Sequence, residues 1–223
     1  MHASPLASLV LFHIGPIAVT RPVVTSWGLI AALTIACWLM TRRLSLRPSR
    51  RQAALEFLVC GIADQIREVV GKDPRPFLPL LGTMFLFLVS CNLCGMLPGV
   101  EAPTAKIETP AALAIIVFLS VQFFGIRAHG LLGYLAGFAR PKLIMLPLNV
   151  LSEITHTFSL MVRLFGNVMS GEFLIALLVA LAGLFVPVPL MVLEVLVGLV
   201  QAYIFTVLAT VFIGAAVGDT ERG

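Results

Sequence analysis

The sequence predicts an all-α polytopic membrane protein: about five membrane-embedded helical segments and one cytoplasmic amphipathic helix, forming a single membrane domain over residues 1–223. Three observations predict it. Of 223 residues, 59% are hydrophobic and only 12% charged, more apolar surface than a soluble chain of this length can hide. Apolar runs long enough to cross a bilayer recur along the chain, separated by polar or proline-rich breaks. The net charge of +4 is also unevenly placed, with eight Lys/Arg in residues 41–76, three in 127–143, and only Arg21 and Lys106 in the intervening outer segments. By the positive-inside rule the first two loops are cytoplasmic. The N-terminus then faces outward and the C-terminus inward, as in a multi-pass membrane protein.

Taken in order, residues 1–21 are broken by Pro5 and Pro16, with Pro22 just beyond. They lack the basic n-region of a signal peptide, so this segment reads as retained. Residues 23–40 form the first span, stopped by Arg42 and Arg43. Residues 52–71 are too charged to cross. Their Leu55, Leu58, Val59, Ile62, Ile66 and Val69 recur at helical spacing, which predicts an amphipathic helix on the cytoplasmic surface. The second span covers 76–97, followed by the polar loop PGVEAPTAKIETP. The third covers 111–126, and a short re-entrant or interfacial helix is expected around Leu131–Phe138. A long helical pattern then runs from 146 to 185, is ended by PVP, and is followed by a last segment at 190–217. Both exceed the ~20 residues of a perpendicular crossing, so they are expected to be strongly tilted or to lie along another protein surface.

The chemistry concentrates in the long segment. Placing side chains at ~100° per residue relative to Ser152 puts His156 at ~40°, Ser159 at ~340°, Arg163 at ~20°, Asn167 at ~60° and Ser170 at ~0°. Asn149 joins at ~60°, while Glu172 falls near ~200°, on the opposite face. A polar stripe with an arginine at its middle cannot face lipid, so it faces protein or water. Arginine suits such a place because its guanidinium stays cationic when partly buried. In the last segment Glu194, Gly198, Gln201, Phe205 and Leu208 share a face. Intramembrane Glu194 and Gln201 read either as helix–helix glue or as members of an ion path.

Other chemistry is excluded by absence of its motifs. No P-loop, metal-binding pattern or nucleophile elbow occurs, so no catalytic residue, cofactor or metal is expected. The pair Cys91 and Cys94 in CNLCG closes an apolar span without a second such pair or a histidine partner, and reads as small apolar residues. The basic runs have no interleaved aromatics, which argues against a nucleic-acid partner.

SLMVRLFGNVMSGE together with LVQAYIFTVLATVFIG resembles subunit a of the F-type ATP synthases, and NLCGMLPGVEAPTAKIETPAALA resembles that family's N-x-x-G-x-x-P-G loop and the start of its next span. The resemblance covers most of residues 20–217. It implies a stator subunit beside a ring of subunit c, held by peripheral-stalk subunit b and the rest of the complex. It implies that Arg163 faces the ring carboxylate that carries the ion and blocks leakage between two offset half-channels. Asn167, Glu172, Glu194 and Gln201 match family positions lining those half-channels or flanking the arginine, Gln201 being the neighbour of Arg163 across the helix pair. Where many bacterial members have a glutamate fourteen residues before the arginine, this chain has Asn149, with Glu153 one turn later; where many have Arg or Lys seven residues before, it has His156. LNVLSEI looks like the branch often called N-ATPases, some of which move sodium. Two other readings compete: a self-contained secondary transporter with Arg163 binding an anionic substrate, and a scaffold with Arg163 neutralised by Glu153 or Glu194. The company Arg163 keeps distinguishes them.

Overall fold

The computed structural model describes residues 10–14, 17–42, 50–71, 73–95, 102–138, 146–183 and 186–218. Outside this set lie several residues used above: basic Arg43, Arg47, Lys72, Arg140 and Lys142, the Pro98-Gly99 step, and the tail 219–223. The described chain begins with a feature that the sequence reading did not anticipate. Strands β1 (Val10–Ile14) and β2 (Ile17–Thr20) pair antiparallel, with Val10 opposite Thr20 and Ile14 opposite Ile17. Two short apolar runs flanking Gly15-Pro16 carry that signal. Everything else is helical.

Helix α1 (Arg21–Thr41) matches the first expected span, and Thr34 and Thr41 return their hydroxyls to the carbonyls of Ile30 and Cys37, each at 2.7 Å. Such back-bonding leaves no free hydroxyl in an apolar medium. The Arg42 guanidinium closes the helix over the Trp38 ring, 4.9 Å from its centroid, a pairing suited to a membrane–water boundary. Helix α2 (Arg50–Val70) ends at Gly71, whose φ of 68° a side chain rarely tolerates. Its Ile62 and Ile66 are buried, while Asp64 and Arg67 lie outward within 3.9 Å of each other. Of the expected amphipathic face, Ile62 and Ile66 pack on the protein's own bundle, while Leu58, Val59 and Val69 are exposed.

Helix α3 (Leu78–Cys94) is shorter than the predicted second span, because Phe77 caps its start and the chain turns at Gly95. A single 3-10 turn, Pro103–Ala105, leads to α4 (Glu108–Phe138). At Gly130, with φ 71° and ψ 163°, α4 kinks. Its apolar portion is Glu108–Gly130, 23 residues rather than the sixteen of residues 111–126. Glu108, Thr109 and Pro110 extend it at the front, and Arg127 and His129 stay helical at the back. The expected short helix beyond is the piece after the kink. Helices α5 (Leu146–Ala182) and α6 (Val188–Gly218) reproduce the two long segments within a few residues. Their 37 and 31 residues amount to ~55 and ~46 Å. Among the described residues three helices are long and apolar enough to cross a membrane, Glu108–Gly130, Pro147–Leu181 and Val188–Gly218, with shorter apolar helices at Val23–Leu39 and Leu78–Cys94.

The core is built around α6. Ala202, Phe205, Ala209, Ile213 and Val217 pack with Leu81, Met84 and Leu88 of α3, Leu113, Val117 and Val121 of α4, Leu160 and Leu164 of α5, and Ile62 and Ile66 of α2. Lipid offers apolar side chains no less than protein does, so such helices associate through close packing, which small residues permit. Every fourth residue of α6 supplies one: Gly198, Ala202, Thr206, Thr210 and Gly214. Thr206 and Thr210 bond the carbonyls of Ala202 and Thr206 at 2.9 and 2.7 Å, so the row adds no unpaired hydroxyl. The opposite side of α6, with Val192, Leu196, Val200, Tyr203 and Val211, is exposed.

Gly198 is the tightest point of that row. A Cβ there would lie 3.0 Å from Cβ of Asn92 and 3.1 Å from its Cγ. Gly198→Leu is expected to push α3 from α6 and lower stability by roughly 1–3 kcal/mol, as overpacking does. Thermal unfolding of the detergent-solubilised protein checks this, and an unchanged midpoint would mean that Asn92 moves aside freely.

Candidate functional site

Helix α5 buries one seam, Leu160, Leu164 and Val168, spaced by four residues. The seam is centred ~100° round the helix from the polar stripe. Packing the seam against the chain therefore turns the stripe outward. Ser152, His156, Ser159, Arg163 and Ser170 are exposed, and Asn149, Glu153 and Asn167 half-buried. Among the described residues Arg163 forms no ion pair: the salt bridge recorded is Arg67–Asp64, and neither Glu153 nor Glu194 lies within 4.0 Å of the guanidinium. A cation of this strength, exposed on an apolar helix and without an ion pair among the described residues, is costly in lipid unless it meets a partner.

Two side-chain contacts fix the register of the antiparallel α5–α6 pair. The His156 ring lies parallel to that of Phe212, 4.7 Å between centroids with 8° between planes. Toward the other end, Gly171 receives the Glu194 side chain: a Cβ at Gly171 would stand 2.8 Å from the Glu194 Cδ. Arg163 is seven residues from the first contact and eight from the second, ~10 and ~12 Å along the axis. The same register carries Gln201 and Phe205 to the level of Arg163. Gln201 is 7% exposed and its Nε2 has no hydrogen-bond partner among the described residues. No hydrogen bond joins Gln201 to Arg163; one faces the core and the other faces out.

Around Gly171 a cavity of about 820 Å³ opens between α5 and α6. Asn167, Ser170 and Glu172 of α5, Glu194 and Gly198 of α6, and Asn92 of α3 line it, so five positions singled out in the sequence are brought together with one, Asn92, that was not. The Ala102 N–H donates to Glu172 Oε1 at 3.3 Å, tying the loop before the 3-10 turn to the cavity wall. Asn92 Nδ2 donates to the Gly198 carbonyl at 2.7 Å and holds α3 against the same wall. Glu172 falls on the far side of α5 from Arg163 on the helical wheel, and it meets the cavity because α3 and the loop wrap that side. Asn92 was legible as the lone amide of the second span. Gly171 and Phe212 carried no signal in the sequence, since their roles depend on the register between two helices.

Site residues thus separate into one group around Glu172 and Glu194 and a second group, Glu153 and His156, near the start of α5. Asn149 lies a turn beyond Glu153, and Ser159 lies between the second group and Arg163.

A family model described as ATP synthase A chain matches residues 23–214. The chain is 71% identical over 223 residues to ATP synthase subunit a 2 of Bradyrhizobium sp., covering 100% of both chains. It is 44% identical over 224 residues to ATP synthase subunit a 1 of Chlorobaculum parvum, covering 100% of this chain and 99% of that one. With ATP synthase subunit a of Albidiferax ferrireducens the identity is 44% over 218 residues, 97% of this chain and 94% of that one.

Proposed function

The chain belongs to the ATP synthase A chain family, and from that premise we propose that it conducts a cation, proton or sodium, through two offset half-channels against a rotating ring of subunit c. The observation that carries this reading is the placement of Arg163: exposed, without an ion pair among the described residues, and midway between two separate polar groups. Neither group reaches the other directly. A cation crossing between them must pass the guanidinium, which repels it. Carried as a neutral ring carboxylate, it travels round the ring instead.

Arg163 acts at the hand-over. When a ring carboxylate releases its cation, the resulting anion is attracted to the guanidinium by ~4 kcal/mol at 4 Å in an effective dielectric of ~20. That attraction draws each ionised site past the stator and favours release over re-leakage. The cavity lined by Asn167, Glu172 and Glu194 serves as the outer half-channel, since it opens toward the loop after α3 that holds few basic residues. Glu153, His156 and Ser159, with Asn149 a turn away, line the inner one. Gln201, buried at the level of Arg163, screens the arginine from the core. The chain acts as a single membrane domain in a bacterial inner membrane, N-terminus outside and C-terminus inside. It works within the ATP synthase complex, with the ring and subunit b as its neighbours, and nucleotide chemistry is done elsewhere. LNVLSEI supports placing it in the N-ATPase branch. The family assignment, over full-length relatives, gives no support to a self-contained transporter.

Cross-linking tests the geometry. After Cys37, Cys60, Cys91 and Cys94 are replaced by serine, Ser159→Cys is expected to form a disulfide with a cysteine placed beside the ring carboxylate on oxidation of native membranes. Leu164→Cys, on the buried seam, is expected to form none. Equal yields from both positions would sink the proposal that the Arg163 face meets the ring. Within the outer half-channel, Glu194→Gln is expected to slow ATP-driven cation uptake by roughly tenfold or more, as loss of a proton-transfer group does; vesicle uptake at matched assembly checks it.

A further inference from the structure

Resting on that half-channel reading, we propose that His156, seated on Phe212 and preceded by Glu153, is the group that passes protons between the cytoplasm and the inner half-channel, so that protons are the ions this half-channel delivers. Of the side chain types on the polar stripe, imidazole is the one suited to shuttle a proton. Its position is fixed by geometry. The ring lies flat on Phe212 at 4.7 Å and 8°, which covers one face and leaves the ring edge uncovered by Phe212. It is exposed on the same side of α5 as Arg163, the side that the half-channel reading gives to the ion path.

The surroundings leave the exchange to these residues. Glu153 is three residues earlier on the same helix, the spacing at which helical side chains are neighbours. Toward Arg163 the next polar group on the stripe is Ser159, a further turn along. Across the pair, the described residues of α6 beyond Gln201 include no ionisable group except Tyr203, nine positions from Phe212. Helix α4, also packed on α5, brings Arg127 and His129 to this end of the bundle. Glu153 and His156 can therefore hold one proton between them and release it in either direction. A sodium ion gains nothing from an imidazole there, and is repelled by its charged form.

The test uses inverted vesicles, whose outer face is the cytoplasmic one, with the whole complex assembled. His156→Gln keeps the bulk and the polarity but cannot take up a proton. ATP-driven proton uptake is expected to fall at both pH 6.5 and pH 8.5, and by roughly tenfold more at pH 8.5, where protons are scarce and a collecting group matters most. Phe212→Leu is expected to shift the profile in the same direction by less. Adding imidazole to the His156→Ala complex is expected to restore uptake at pH 8.5 in proportion to its concentration. A His156→Gln profile that superimposes on the parent's, or a loss equal at every pH, would overturn the proposal. Arg163→Ala, measured alongside, separates the two ideas: if it still pumps, the half-channel reading itself is wrong, whereas a dead Arg163→Ala beside a parent-like His156→Gln condemns the histidine alone.

Discussion

Arg163→Ala is expected to abolish ATP-driven cation uptake in inverted vesicles, by at least about a hundredfold, while leaving the complex assembled. Loss of one well-placed charged partner has effects of that order when the interaction forms in a low-dielectric site. Assembly should survive because Arg163 is exposed and unpaired among the described residues, so removing it breaks no contact of the fold. Removing an exposed cation from an apolar helix even relieves a penalty. Two readouts decide the matter: quantitation of the solubilised complex, and cation uptake at matched amounts. Arg163→Lys is expected to recover little, because an ammonium lacks the planar fork and is more strongly hydrated. Normal uptake by the alanine variant would make the charge structural and remove the centre of the proposed mechanism.

Gly171→Ala should be nearly as damaging for a different reason. A Cβ at that position would stand 2.8 Å from Cδ and 3.2 Å from Cγ of Glu194. The carboxylate must then leave the groove. In a helix, glycine to alanine normally gains about 1 kcal/mol, so the variant is expected to be no less stable yet to lose roughly tenfold or more in uptake. Adding Glu194→Asp shortens the acid by one methylene and draws it back from the new methyl. The double variant is expected to recover a substantial part of the rate, a coupling that a double-mutant cycle measures. If Glu194→Asp alone and in the Gly171→Ala background behave alike, the two positions do not share the groove.

What the sequence made legible follows from which interactions are local. The polar stripe of α5 was readable because a single helix fixes the angles between Ser152, His156, Ser159, Arg163, Asn167 and Ser170 without reference to anything else. The break between α5 and α6 was readable from two prolines. The meeting of Gly171 with Glu194, and of His156 with Phe212, was not, because a slide of α6 by one residue would replace both contacts. Glu172 shows the same limit: the wheel turns it away from Arg163, and only α3 with its following loop brings a wall to it. The third span was read short because Arg127 and His129 are polar, although long side chains at a helix end can reach back to water. The β-hairpin was missed because prolines near the N-terminus were read only as helix breakers.

The exposed side of α6, with Val192, Leu196, Val200, Tyr203 and Val211, has a mechanical meaning if the ring turns against the hairpin. Apart from the Tyr203 hydroxyl, these side chains present no hydrogen bonds to be broken and remade at each step, and dispersion contacts between them change little as one row of apolar groups passes another. Such a surface behaves as a greased bearing. Friction is low everywhere except at one tooth, Arg163, where the attraction is strong and brief. The torque of each step would then be transmitted at a single residue, and the rest of the helix would serve to let the rotor slip.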